Sequence, residues 1–169
     1  MNRMIFALTP LFLLALLAPA IAADNIVIAD FEGKTYGKGW TAEGEAFGTG
    51  PTKGGIEGQR PVTGFRGKGL ANSFINRDLS MGKLTSPKFT IKRDYITFLI
   101  GGGAYKGRTC MNLLVGGKVV LTATGPDGEF LNWKNWDVKK YKGAKAVLPP
   151  ASSSGLLLRA PKATGMGLP

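Results

Sequence analysis

Histidine is absent from the 169 residues, and cysteine occurs once, at Cys110. Without histidine, neither a Ser-His-Asp nor a Cys-His nucleophile can be assembled. Zinc centres of the Cys/His kind are excluded for the same reason. A lone cysteine closes no intrachain disulfide. Cys110 lies in the apolar string TCMNLLV and reads as a small buried hydrophobe rather than a nucleophile. Acidic residues are missing from the whole chain after Asp137. Helical periodicity is missing from the most informative stretch, Asp94 to Gly125.

What that stretch contains is three extended runs. Ile96, Phe98 and Ile100 alternate with Tyr95, Thr97 and Leu99, so both faces are largely apolar, as in a sheet covered on both sides. Two further runs, Thr109 to Val115 and Lys118 to Thr124, flank Gly116-Gly117. Adjacent glycines both tolerate positive φ, the requirement of a primed two-residue hairpin. Further strands are expected at Asn25 to Phe31, Trp40 to Phe47, Leu70 to Ile75, Leu84 to Ile91 and Leu131 to Val138. Pro87 makes the fourth of these an edge or kinked strand. Trp133 and Trp136 fall at opposite pleat parities. Gly48 to Gly69, rich in glycine and without a period, reads as a long surface loop. The expected fold class is all-β, a two-sheet antiparallel sandwich.

The first residues have the form of a secretory signal. Arg3 is the positive start, Ile5 to Leu17 the apolar segment and Ala20-Ile21-Ala22 the small-x-small cleavage site. The apolar run is short for a membrane span and no basic stop-transfer flank follows it. Residues 1–22 are therefore expected to be a removed signal peptide, with a secreted or periplasmic product and no membrane attachment. Residues 23–147 form one sandwich module, and 148–169 an irregular tail.

The formal net charge is +11, unevenly spread. From Ala23 to Asp137 there are 15 basic and 11 acidic residues; six basic residues follow with no acid among them. That basic segment carries one aromatic, Tyr141, too few for base stacking, so nucleic-acid binding is not expected.

Two glycine-rich strings resemble phosphate cradles and fail on detail. Gly101 to Gly107 has the spacing GxGxxxG and leads into a strand, where a dinucleotide site needs GxGxxG and a helix. Gly48 to Gly55 lacks the Gly-Lys-Ser/Thr ending of a P-loop. Both read as loops. Asp30 and Glu32 are the best acidic pair. At alternate strand positions they would point the same way, which suits a structural calcium ion or, equally, a solvated strand edge. No other cofactor is implied. Trp40, Trp133 and Trp136 could stack on sugar rings, although most tryptophans of so small a sandwich belong to its core.

Five strings together resemble a known module: ADFEGKTYGKGWTAEGEAFGTGP, PVTGFRGKGLANSF, LTSPKFTIKRDYITFLIGGG, GRTCMNLLVGGKVVLTATG and WDVKKYKGAKA. They are similar to a β-sandwich of secreted bacterial glycoside hydrolase family 32 proteins, levanase-like enzymes that cleave β-fructosides. The resemblance runs from about Asp30 to Val147. It implies a jelly-roll, galactose-binding-like module used for carbohydrate attachment, beside a catalytic propeller that this chain lacks. No string of the family's catalytic site is present, so no catalytic residue is assigned. The implied partners are a fructan or other glycan and the neighbouring catalytic domain. Candidate sugar contacts on or beside the matching strings are Asn72, Arg108 and Asn112 with one exposed tryptophan, Trp40 or Trp133. The asparagines could equally satisfy backbone groups. The rival is a structural module that packs on a neighbouring domain and binds no ligand.

The family module closes with an acidic strand, a Gly-Gly-Trp-Gly-His-Ile stretch and a final Val-Asp strand. Here LPPASSSGLLLRAPKATGMGLP stands in that place. Resemblance, acidic residues and strand alternation all end near Val147. The expectation is a gene truncated or read out of frame from there, leaving a fragment whose sandwich is incomplete at its C-terminus.

Overall fold

The computed structural model describes residues 24–152 and 156–164. The expected signal peptide lies outside these residues. The described residues form β1 (Ile26–Val27), β2 (Thr41–Gly44), β3 (Ala71–Asn72), β4 (Gly82–Thr85), β5 (Phe89–Thr90) and β6 (Tyr95–Gly102). These are followed by β7 (Cys110–Val115), β8 (Lys118–Ala123), β9 (Gly128–Asp137), β10 (Lys145–Val147), β11 (Pro150–Ser152) and β12 (Leu156–Thr164). Two single-turn 3-10 segments, Arg77–Leu79 and Lys139–Tyr141, complete the order.

The strands make two antiparallel sheets. The first runs β1-β12-β6-β9, with β3 also pairing β12. The second runs β2-β4-β11-β7-β10-β5, with β8 on β7. They face each other across one core. Ile96, Phe98, Ile100, Trp136, Leu156 and Leu158 enter it from the first sheet. Leu84, Met111, Leu113 and Ala146 enter from the second. Phe98 and Trp136 meet edge to face, ring centroids 4.7 Å apart. The chain is an all-β sandwich, as its alternating runs require.

Strand β6 explains its own composition. Its even positions fill the inter-sheet core, while Leu99 joins Val62, Leu70, Leu131 and Leu157 in a second cluster on the outer face. The cover over that face comes from the long glycine-rich segment, which contributes Val62 and Phe65. Bridges Thr52↔Leu70 and Thr63↔Phe130 fasten it down. The expected loop is thus a lid on the sheet. The β7–β8 hairpin turns on Gly116 and Gly117 at φ 58° and 77°, the left-handed pair that a primed turn needs.

Three expectations require correction. Asn25 to Phe31 is a strand only at Ile26–Val27, because Phe31 takes φ 53° and ends the extended course. Leu84 to Ile91 is split around Pro87 into β4 and β5, which hold separate places in the second sheet.

The largest correction concerns the C-terminal segment. Its described residues are not irregular: β11 pairs β4 and β7, and β12 lies between β6 on one side and β1 and β3 on the other. Among the described residues, β11 and β12 therefore hold places in the second and the first sheet. Alternation is invisible in Leu156-Leu157-Leu158 because both faces are covered. Leu156 and Leu158 enter the main core and Leu157 the outer cluster, and a strand buried on both sides reads as an unbroken apolar run. Pro161 falls within the register shift between Arg159 and Lys162, where a missing N–H interrupts no regular ladder. Ser73 anchors the strand's start: its Oγ accepts from Leu156 N at 2.7 Å and its N–H donates to Leu156 O at 2.9 Å.

Candidate functional site

Asn72 is fully buried in β3 opposite Leu157, on the outer side of the first sheet. Its Nδ2 donates to Gln59 Oε1 at 2.8 Å, and its Oδ1 accepts from Phe74 N at 3.0 Å. The amide therefore pins the glycine-rich lid to the sheet. Asn112 alternates with core residues Met111 and Leu113, so it projects from the outer face of the second sheet. Its Oδ1 accepts from Thr122 Oγ1 at 2.8 Å, a cross-strand pair that the β7–β8 register places directly opposite. The Asn72 amide oxygen thus accepts from a backbone donor, and that of Asn112 from a side-chain hydroxyl.

The tryptophans divide as their parities demand. Trp136 is core. Trp40 is half-buried against the main core, with its ring edge-on to Phe31 at 5.4 Å. Trp133 is half-buried on the outer cluster, with the Arg66 guanidinium over its ring at 5.9 Å. Arg108 is exposed in the turn after Tyr105, whose own ring is 63% exposed. Asn72 and Trp133 thus share the outer face of the first sheet, while Asn112 lies on the opposite face of the sandwich. The five candidates do not line one cleft.

Asp30 and Glu32 do not project together from a strand, because the left-handed Phe31 separates them. Asp30 Oδ1 accepts from Glu32 N at 3.1 Å. The Glu32 carboxylate accepts from Lys68 N through both oxygens, at 3.0 and 3.1 Å. The pair joins the turn at 30–32 to the strand-entry loop at 68. Among the described residues, no group of three or more His, Cys, Asp or Glu side chains gathers as a metal centre.

An open groove of about 420 Å³ lies between β1 and β5, unannounced by any string of residues. Ile26, Val27, Ile28, Pro87 and Phe89 form its apolar walls, and Lys88, Lys92 and Lys145 its charged rim. No local motif marks it, since the lysines come from distant segments joined by backbone pairing. Ile91 N donates to Ala144 O at 3.0 Å and Gly143 N to Ile91 O at 2.8 Å. Lys145, from the basic segment after Asp137, is in this way brought to the rim of the groove. Nearby, a hydrogen bond from Lys142 (2.9 Å) holds the Asp94 carboxyl below its usual range. A hydrogen bond to Tyr95 Oη (2.8 Å) raises the Lys139 ammonium above its own. In the interior, Tyr36 donates to Phe47 O at 2.6 Å, and burial pushes its phenol well above the ordinary tyrosine value.

No family model matches this chain. Over 127 residues it is 41% identical to a protein from Aspergillus rugulosus named as a glycosyl hydrolase, ecdE. That match takes in 74% of this chain and 18% of the relative, so the chain spans less than a fifth of the relative's length. Among solved structures, a family 35 carbohydrate-binding module from Clostridium thermocellum superposes with TM-score 0.39 at 12% identity. The superposition covers 83% of this chain and 97% of that module.

Cys110 is fully buried, and the two ion pairs among the described residues, Lys139–Asp137 and Lys142–Asp94, are surface contacts.

Proposed function

We propose that this chain is a non-catalytic, carbohydrate-associated module of a larger glycosyl hydrolase, and more narrowly the sandwich module of a levanase-like, secreted or periplasmic fructan hydrolase. One observation carries the proposal: 41% identity over 127 residues that amount to 18% of a protein named as a glycosyl hydrolase. A match of that extent is the size of one accessory domain, and catalysis is assigned to residues outside it. The strings resembling family 32 modules support the narrower reading. The ligand in that reading is a fructan or related glycan.

Calorimetric titration with levan and inulin tests it. Saturable binding that weakens on Trp133→Ala or Trp40→Ala supports the carbohydrate reading. Heat no larger than dilution with every fructan removes it. Release of fructose by the purified chain would refute the non-catalytic assignment.

A second reading, a packing module without ligand, has its own observation. Asn72, Asn112, Trp40 and Trp133 are each engaged inside the fold. Under that reading the fructan titration is silent, and the module instead stabilises the domain beside it.

A further inference from the structure

We propose that the groove between β1 and β5 receives an extended acidic polypeptide segment, added as a strand to the free edge of β5. Strand β5 pairs β10 on one side and ends the second sheet, while β1 ends the first. Both edges border the groove. Among the described residues, the outward side of β5 has no strand partner, and such an edge is a template for another chain. Lys88 and Lys92 bracket β5 in sequence, and Lys145 lies opposite Thr90 in register, donating to its Oγ1 at 2.8 Å. Among the described residues, none that lines the groove is acidic. Lys88 and Lys92 form no ion pair among the described residues.

These features select one occupant. A strand has side chains alternating at period two, so one set can rest on Val27 and Phe89 while the other meets the ammonium rim. Val27 is 61% exposed and waits uncovered on that wall. The walls are aliphatic apart from the partly buried Phe89, so they offer a single ring where a sugar chain would need a row of stacking faces. A second copy of this edge would bring lysine against lysine, the repulsion by which edges reject self-pairing. A strand bearing carboxylates meets the opposite sign.

The test is an NMR titration of the protein with an acetyl-capped, amidated hexapeptide alternating valine and glutamate. Saturable shifts confined to the amides of Val27, Ile28, Phe89 and Thr90 are expected. The double variant Lys88→Glu, Lys92→Glu should bind roughly tenfold more weakly, since two exposed attractions become repulsions. Lys53→Glu, on the distant lid, should bind as the parent does. The same peptide N-methylated at alternate residues should lose binding, because charge remains but the strand hydrogen bonds do not. Absence of saturable shifts overturns the proposal. So does equal binding of the N-methylated peptide, or tighter binding of a uronic-acid hexasaccharide with the same shifts.

Discussion

Ending the chain at Val147 removes β11 and β12 and should abolish cooperative folding. Leu156, Leu157 and Leu158 are 0%, 0% and 2% exposed. A fully buried leucine contributes about 1.5–3 kcal/mol, so the three together contribute about 5–9 kcal/mol. A whole domain of this size is stable by only about 5–15 kcal/mol. The deletion also strips β6 of its partner along one edge, at Gly102, Gly101, Ile100 and Leu99, and leaves β3 and β1 with nothing to pair. Open edges beside exposed core promote association. The assay is urea unfolding followed by tryptophan fluorescence, which reports Trp136 against Phe98, with light scattering on the same samples. The full chain should give one sigmoidal transition. The shortened chain should give none and should scatter. The single change Leu157→Ala should cost about 2–5 kcal/mol with an unchanged denaturant slope. A shortened chain that unfolds sigmoidally at the parent midpoint would refute the reasoning, and the C-terminal segment would then carry no structural role.

Tyr36→Phe should cost about 1–3 kcal/mol in the same urea assay, because the buried Phe47 carbonyl loses its donor. The phenol also predicts a pH limb. Its folded value lies above the unfolded one near about 10, so its contribution is intact below that pH and is lost as pH rises above it. Tyr36→Phe should remove that alkaline slope. Asp94 works in the opposite sense: its folded value lies below the ordinary carboxylate value, so its stabilisation holds above about pH 4 and is lost as pH falls through the lowered value. Asp94→Asn should flatten the acid limb, measured by the urea midpoint against pH. Gly69→Ala should prevent folding or cripple it, since an added Cβ would collide with the Phe31 carbonyl. Gly116→Ala meets no neighbour and should cost only about 1 kcal/mol for its left-handed φ.

The legible parts of the fold were those whose two faces differ, or whose turn has a single chemistry. Gly116-Gly117 needs two positive φ values, and few other pairs provide them. Strand β6 announced two covered faces through its unbroken apolar run. At Leu156 to Leu158 the same logic has too little to work on, because three leucines between a serine run and a proline are too short a window to separate strand from loop. Two-residue strands such as β1 and β3 have no period to read; their partners in β12 define them. The candidate site was less legible. Asn72 and Asn112 were visible as polar residues in apolar strings, but only pairing distinguishes an internal acceptor from a ligand contact. Lys88, Lys92 and Lys145 meet through the alignment of Ile91 with Ala144, which no local pattern encodes.

Native-state hydrogen exchange at the amides of Leu157 and Leu158 tests the place of β12 in the first sheet most directly. Each lies in register with β6 on one side and β3 on the other, and protection as strong as that of Phe98 and Leu99 is the predicted result. Exchange of both amides within the dead time, while β6 stays protected, would contradict it.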